Sequence, residues 1–381
     1  MASAPATCVR AATVFTASGP VCPGEVRFED GLITTVGPAT GAATYEILAP
    51  GFIDLQMNGI GAVDVADADG DDWDVLDDLL LAQGVTTWCP TLVSATLAAM
   101  EASLERITGA AGRPGRGRPA IAGAHLEGPF LAVAGAHHPP SLHGSVDGRW
   151  LAGLGSGVAL VTLAPELPGA LAAIEALVGA GVLVSLGHSA CDLEVARAAA
   201  DAGARLVTHL GNAMGPFRPR APGLLGAALS DDRLAVSLIA DLVHIDPALV
   251  RIAFRSKGAA RTVLVTDAVA VGPVGPYAVA TSPGAVGEPP RMADGTLVGS
   301  VLAMDRAVAN TVTVAGIGLG DAIAAASTTP ASLLGLDDRG AISPGRRADL
   351  VALGADLEVE RVWVGGEPCW RRRTGAEEGS G

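Results

Sequence analysis

The chain has 381 residues, a hydrophobic content of 49% and a net charge of −15 at pH 7. This length can bury a large core, and the acidic balance without a basic stripe excludes nucleic acid as an expected partner. No apolar run approaches the roughly 18 residues that span a bilayer, and the first residues lack a signal-peptide pattern, so we expect no membrane partner. Five scattered cysteines without CxxC spacing predict reduced thiols and a cytoplasmic location.

The two ends of the chain predict short β-strands. Strands are expected at Ala11–Ala17, Glu25–Glu29, Leu32–Val36, Asp349–Leu353, Glu360–Val364 and Glu367–Trp370. Asp30-Gly31 between two alternating runs predicts a hairpin turn. Neither end can bury a face alone, so we expect residues 1–49 and 341–375 to form one small β-sandwich domain.

Residues 50–340 alternate predicted strands with predicted helices, a pattern typical of a parallel sheet. The strands are Gly51–Gln56, Val85–Val93, Ala120–Glu127, Val158–Leu163, Val182–His188, Arg205–His209, Ala235–Ala240 and Thr262–Asp267. Eight such units predict an α/β fold of the (β/α)₈ TIM-like barrel type. An open doubly wound sheet is the alternative, but no glycine-rich phosphate fingerprint follows the first strand. The segment Gly272–Pro290 predicts a loop over the barrel mouth, and residues 371–381 predict a disordered tail.

Polar residues close four of these strands: Glu127, His188, His209 and Asp267. The carboxyl ends of barrel strands share one face, which is the usual catalytic face. Glu127, His188 and His209 are therefore predicted to hold one divalent ion, with Zn²⁺ favoured and Fe²⁺ or Mn²⁺ as alternatives. Three protein ligands leave a position open for water. Asp267 is predicted to take and return a proton; a fourth ligand or a helix cap is the alternative.

The motifs around these residues resemble the N-acetylglucosamine-6-phosphate deacetylase family of the amidohydrolase superfamily. They are PGFID at Pro50–Asp54, LEGP at Leu126–Pro129, GHS at Gly187–Ser189, THLGNAM at Thr208–Met214 and TDA at Thr266–Ala268. The resemblance covers nearly the whole chain. It implies metal-dependent hydrolysis of the acetamide of N-acetyl-D-glucosamine 6-phosphate to glucosamine 6-phosphate and acetate, in amino-sugar catabolism.

The first strand departs from many amidohydrolases, in which His-x-His binds a second metal. This chain has Gln56 and Asn58 there, and amides are poor substitutes for imidazole on zinc, so we expect that second position to be vacated. Other two-metal members bridge their ions with a carboxylated lysine. The only lysine here, Lys257, lies in a predicted helix end, so the resemblance favours a single-metal member.

The resemblance also implies the contacts to an amino-sugar phosphate. His137 matches the histidine that polarises the acetyl carbonyl, although His138 beside it is an alternative. Phosphate contacts map to the backbone around Asn212 and Ala213 and to two side chains, His244 and Arg220. Arg218 is an alternative to Arg220, and dimeric relatives supply this arginine from the second subunit, which implies a homodimer.

Two other functions stay open at this point. The substrate could be N-acetylgalactosamine 6-phosphate or another N-acyl compound, or the chain could be a non-catalytic sugar-phosphate-binding protein. Retention of Asp267 with all three ligands argues against the latter. We expect His125 and His143 to be structural, and Ser189 and Thr208 to orient the backbone rather than to act as nucleophiles.

Overall fold

The computed structural model describes residues 7–271, 290–292 and 294–373. Most of the predicted mouth loop, residues 272–289, and residues 374–381 of the predicted tail lie outside this range; Arg371 ends a strand. In the part that is described, all five cysteines are free thiols. No described helix is both long and apolar enough to cross a bilayer.

The N-terminal part forms five strands around a long first one. They are β1 (Thr7–Thr16), β2 (Gly19–Val21), β3 (Gly24–Glu29), β4 (Leu32–Pro38) and β5 (Tyr45–Pro50). β1 pairs antiparallel with β2 and β3 and parallel with β5. The predicted Asp30-Gly31 turn is confirmed: it joins β3 to β4, and both residues have positive φ, 50° and 83°. The sequence did not predict β2 or β5.

The central part forms a nearly closed parallel barrel. Its strands are β6 (Phe52–Met57), β9 (Val85–Val93), β10 (Ala120–Ile121), β11 (Ala124–Glu127), β12 (Val158–Leu163), β13 (Leu183–Leu186), β14 (Leu206–Val207), β15 (Ala235–Leu238) and β16 (Thr262–Leu264). A small hairpin, β7 (Gly59–Ile60) and β8 (Val63–Asp64), follows β6. The predicted strand Ala120–Glu127 is divided into β10 and β11 because Gly123 between them has a φ of 130°.

Side-chain and backbone contacts join the last barrel position to the first. Thr266 Oγ1 donates to Asp54 Oδ2 at 2.6 Å, and the N–H of Asp267 donates to the carbonyl of Gln56 at 2.8 Å. The aspartate of the PGFID motif therefore helps to close the barrel beside Asp267.

Helices surround the barrel on its outer side. They are α1 (Asp72–Ala82), α2 (Leu97–Ala111), α3 (Gly148–Gly153), α4 (Ala170–Gly179), α5 (Leu193–Asp201), α6 (Gly223–Ser230), α7 (Pro247–Lys257), α8 (Met304–Thr313), α9 (Leu319–Ala326) and α10 (Thr328–Leu333). Lys257 ends α7 as predicted; its buried Nζ donates to the carbonyl of Asp231 at 2.6 Å. It is therefore not a barrel-strand ligand.

The C-terminal strands complete the first sheet. β17 (Leu350–Leu353), β18 (Val359–Val364) and β19 (Glu367–Arg371) extend it, and β17 pairs antiparallel with β5. The order is β19-β18-β17-β5-β1-β3-β4, with β2 beside β1. The predicted fold class is confirmed: a (β/α)₈ barrel with a separate small β-structure from both termini. The domain limits 1–49, 341–375 and 50–340 stay predictions.

Glu25 is a hydrogen-bonding centre of the terminal sheet. Its carboxylate accepts from the N–H and hydroxyl of Thr40 at 3.0 and 2.8 Å, and it pairs with Arg27 and Arg10. The hydrogen bonds from Thr40, followed by that from Arg27, lower the pKa of Glu25 to about 2. Ionised Glu25 therefore stabilises the fold above its unfolded pKa of 4.5, and this contribution is lost as the pH falls toward 2.

We predict that Glu25→Gln is less stable than the parent at neutral pH because the amide cannot replace the charged acceptor. The difference in the free energy of unfolding between the parent and Glu25→Gln should shrink as the pH falls from about 4.5 to about 2. Urea unfolding over a pH series measures this difference. A difference that stays constant with pH would contradict the assignment.

Candidate active site

Three of the four strand-end residues adopt left-handed backbone conformations. The φ angles of His188, His209 and Asp267 are 48°, 34° and 48°. Such conformations are uncommon for residues other than glycine, and they cluster at functional sites. They also correct the sequence prediction: β13, β14 and β16 end before these residues, because a left-handed residue leaves the parallel ladder.

Glu127 lies at the centre of the site and is 3% exposed. Its Oε1 is 2.9 Å from His209 Nε2 and 3.3 Å from His188 Nε2, and the two imidazole nitrogens are 3.1 Å apart. Ligand atoms around a tetrahedral Zn²⁺ with bonds of ~2.0–2.1 Å are about 3.3 Å apart. The structure therefore brings the three predicted ligand atoms to a spacing that suits one ion.

The protonation of these groups also fits a cation. Nδ1 of His188 lies 2.8 Å from the carbonyl of Val133, so this nitrogen carries the proton and the lone pair of a neutral ring is on Nε2. That lone pair faces a carboxylate oxygen. Burial alone would raise the pKa of Glu127, but the adjacent His188 and His209 rings outweigh it and keep the pKa well below its usual value, so the carboxylate is ionised. Electron-pair donors that face one another suit a bound ion.

His137 and not His138 is directed into the site. His137 is buried and lines the cavity, whereas His138 is exposed. Nδ1 of His137 accepts a hydrogen bond from the N–H of Ser94 at 3.2 Å, so the proton of the neutral His137 ring is on Nε2. Burial and the neighbouring His188 lower the pKa of His137 to about 3.

His137 also belongs to a group of possible ligands with Glu127 and His188, whose donor atoms lie within 4.8 Å of one another. Its Nε2, however, is 3.9 Å from Glu127 Oε2, which is farther than the nitrogen of His209. Because Nε2 carries a proton, His137 is arranged as a hydrogen-bond donor rather than as a ligand.

Gln56 and Asn58 hold the carboxylate of Asp267. Nε2 of Gln56 donates to Asp267 Oδ1 at 3.1 Å and to Glu127 Oε1 at 3.0 Å, while Nδ2 of Asn58 donates to Asp267 Oδ1 at 2.7 Å. Both amides therefore bond the same oxygen of Asp267 and leave Oδ2 for the cavity that Asp267 lines. Burial and the charge of Glu127 raise the pKa of Asp267 to about 8.

A cavity of about 250 Å³ opens beside this cluster. Its polar lining includes Asn58, Glu127, His137, His188, His209, Asn212, His244 and Asp267, and its apolar lining includes Val93, Ala213, Ile239, Val269, Leu297 and Val298. Three of the four predicted phosphate contacts thus line the cavity. The side chains of Arg220 and Arg218 are exposed, and neither lines the cavity of its own chain.

The remaining polar residues support the site. His125 is buried between the hydroxyls of Thr91 and Thr162, 3.3 and 2.8 Å away. Ser189 Oγ donates to the carboxylate of Glu166 at 2.6 Å, which fixes the segment after His188. Sequence reasoning missed Glu166 and also Asp241, which pairs with His244. Their positions just after strands were the available signal.

The chain is similar to known proteins over nearly its whole length. A model of the Amidohydrolase family matches residues 47–369. The chain belongs to the amidohydrolase family. N-acetylgalactosamine-6-phosphate deacetylase of Escherichia coli O157:H7 is 37% identical over 374 residues, which cover 94% of this chain and 98% of that protein. N-acetylglucosamine-6-phosphate deacetylase of Bos taurus is 39% identical over 354 residues, covering 85% and 84%.

A solved structure supports the same grouping. It is a variant of N-acetyl-D-glucosamine-6-phosphate deacetylase from Mycobacterium smegmatis in complex with N-acetyl-D-glucosamine-6-phosphate. It superposes with a TM-score of 0.85 at 31% identity and covers 96% of this chain and 100% of that chain. The predicted resemblance to N-acetylglucosamine-6-phosphate deacetylases is thereby confirmed. Amidohydrolases depend on metal, and the Glu/His/His cluster of this amidohydrolase could hold such an ion.

We predict that Gln56→Glu destabilises the protein when a chelator has removed any metal. A third carboxylate then faces those of Glu127 and Asp267, and the hydrogen bonds that Gln56 donates to both are lost. The expected loss in the free energy of unfolding is about 3 kcal/mol. A divalent ion should raise the Tm of the variant more than that of the parent, because the added carboxylate can bind it. Thermal unfolding with chelator and with Zn²⁺ measures both effects.

Gln83→Glu is the matched control. The Oε1 of Gln83 accepts from the N–H of Met304 at 3.0 Å, and a carboxylate can keep that bond. This control should show no extra stabilisation by Zn²⁺. Equal Zn²⁺ responses in Gln56→Glu and in the parent would show that Gln56 does not face the ion site.

Proposed function

We propose that this amidohydrolase hydrolyses the acetamide of N-acetyl-D-glucosamine 6-phosphate to glucosamine 6-phosphate and acetate. The observation that carries the proposal is the approach of Glu127 Oε1, His188 Nε2 and His209 Nε2 to within 3.3 Å of one another beside the carboxylate of Asp267. The relatives with this name support the substrate. The free thiols are consistent with a cytoplasmic location.

Glu127, His188 and His209 would hold one divalent ion, and the donor set of one carboxylate and two imidazoles favours Zn²⁺, with Fe²⁺ and Mn²⁺ as alternatives. When bound, the ion supplies Lewis acidity, which lowers the pKa of water and polarises an amide carbonyl. The amides of Gln56 and Asn58 occupy the place of a second set of ligands. They turn N–H groups, which are not metal ligands, toward the carboxylates of Glu127 and Asp267.

Asp267 is the proposed proton carrier. Its Oδ1 is occupied by two amide donors, so Oδ2 takes the proton from the attacking water. The same oxygen then gives this proton to the nitrogen that leaves with the sugar. Burial favours the protonated form that this second step needs.

His137 is the proposed donor to the acetyl oxygen. Its Nε2–H is fixed by the hydrogen bond that Nδ1 accepts from Ser94. A neutral donor already in place stabilises the oxyanion that develops in acyl transfer, without reorganisation at the moment of reaction.

The phosphate end of the substrate is proposed to lie at Asn212, Ala213 and His244, which line the cavity. Arg220 does not line the cavity of its own chain, so its proposed phosphate contact requires a second copy. Its fork of N–H groups suits phosphate oxygens. We therefore propose a homodimer.

N-acetylgalactosamine 6-phosphate is the second candidate substrate. The specific observation in its favour is that a relative 37% identical over 98% of its own length carries the name of that deacetylase. The two sugars differ only at one hydroxyl, and residues 272–289 at the predicted mouth loop lie outside the described structure. A non-catalytic sugar-phosphate-binding protein is disfavoured, because Asp267 and all three proposed ligands are present.

Acetate release by the purified, Zn²⁺-loaded protein tests the proposal. We expect turnover of N-acetylglucosamine 6-phosphate, with a lower kcat/KM for the galactosamine epimer and for the unphosphorylated sugar. A higher kcat/KM for the epimer would favour the second candidate. No acetate from any of the three would refute the proposed function.

Asp267→Asn tests the proton carrier separately. The amide cannot take a proton, so we expect turnover to fall by about 10²- to 10⁴-fold with the metal content unchanged. Asp246→Asn is the matched control, because Asp246 is the N-cap of α7 and asparagine caps helices equally well. Full activity of Asp267→Asn would remove Asp267 from the mechanism.

A further inference from the structure

Asp241 is a buried carboxylate that contacts His244 and that the proposed chemistry does not use. The side chain of Asp241 is 10% exposed and that of His244 is 6% exposed. Oδ2 of Asp241 lies 2.7 Å from Nδ1 of His244. Its Oδ1 accepts from the N–H groups of Val243 at 2.9 Å and His244 at 2.8 Å. All these bonds come from the short segment that carries His244.

This segment is a tight turn with a strained residue. Leu242, between Asp241 and His244, has a φ of 69°, and a left-handed conformation is strained for a residue with a side chain. The two N–H bonds to Asp241 Oδ1 stabilise the turn against this strain. Asp241 therefore fixes both the backbone position and the ring orientation of His244.

The charge of the pair follows from burial. Burial alone would raise the pKa of Asp241, but the hydrogen bonds from the side chain and N–H of His244 outweigh it and lower that pKa. Asp241 is therefore ionised, and a buried carboxylate requires a compensating charge. Within the described residues, His244 is the one basic side chain that pairs with it. Only the imidazolium form of this ring supplies that compensating charge, with a proton on each nitrogen.

Nδ1 of this ring is committed to Asp241, so Nε2 is left for the cavity that His244 lines. The proposed metal ligands line the same cavity. A cationic N–H donor there suits an anionic oxygen of the substrate, because charge-assisted hydrogen bonds are the strong ones.

We propose that Asp241 is a positioning residue that makes His244 a preset cationic donor for the phosphate of the substrate. This inference rests on the proposed function for its substrate. A neutral ring would instead accept a hydrogen bond from a sugar hydroxyl. Comparing the phosphorylated with the unphosphorylated sugar separates a phosphate contact from a hydroxyl contact.

Asp241→Asn in the Zn²⁺-loaded protein tests the inference. The amide oxygen can keep the turn bonds of Oδ1, but the amide nitrogen then faces the N–H of the ring, so the charge and the ring contact are lost. We expect KM for N-acetylglucosamine 6-phosphate to rise about 10- to 100-fold with kcat little changed. We expect kcat/KM for unphosphorylated N-acetylglucosamine to stay the same. Asp241→Glu, which keeps the negative charge, should raise this KM less than Asp241→Asn does.

Leu242→Gly is the matched control for the turn. Glycine accepts a positive φ without strain, so this variant keeps the pair and should show the parental KM. Calorimetric titration with inorganic phosphate gives a readout besides activity, and Asp241→Asn should bind phosphate about 10- to 100-fold more weakly than the parent.

The outcomes distinguish a failure of the role proposed for Asp241 from a failure of the proposed function. Equal phosphate affinity in Asp241→Asn and in the parent, or no phosphate binding by either, would overturn the inference. Loss of kcat/KM by the same factor on both sugars would also overturn it, because a structural role or a hydroxyl contact has that effect. If the parent releases acetate from neither sugar, the proposed function fails, while the phosphate titration still decides the role of Asp241.

Discussion

The site depends on the burial of one ionised carboxylate, that of Glu127. A carboxylate that is only 3% exposed is costly unless charges or donors surround it. Here His188, His209 and Gln56 all approach its Oε1. The negative charge of Glu127 also acts on Asp267, whose pKa it helps to raise. The positions of the surrounding strand ends can be understood as the arrangement that makes this buried charge tolerable.

The barrel supplies that arrangement at a local cost in backbone strain. His188, His209 and Asp267 each leave their strands in a left-handed conformation, which turns their side chains toward Glu127. Hydrogen bonds hold the strained residues in place: the carbonyl of His188 accepts from the N–H groups of Ala132 and Val133. The amides at the end of the first strand bond Asp267 and Glu127 directly. These two amide side chains thus hold the carboxylates of Asp267 and Glu127 in place.

Sequence reasoning predicted the barrel, the terminal strands and the clustering of the four strand-end residues, because alternating apolar runs and polar strand ends are encoded locally. It could not predict the left-handed residues, because positive φ has no signature outside glycine and asparagine. It therefore made β13, β14 and β16 too long. It also left His137 and His138 unresolved and missed Asp241, since only the folded turn shows which ring is buried and what that ring contacts. The strand β5 was missed because its partners β1 and β17 lie far away in the sequence.

We propose that Glu127, His188 and His209 hold one ion while Gln56 and Asn58 exclude a second. Counting the tightly bound divalent ions per chain in the purified protein tests it most directly, with Glu127→Gln measured in parallel. We expect about one ion per chain in the parent and almost none in the variant. About two ions per chain in the parent, or an unchanged ion content in Glu127→Gln, would contradict it.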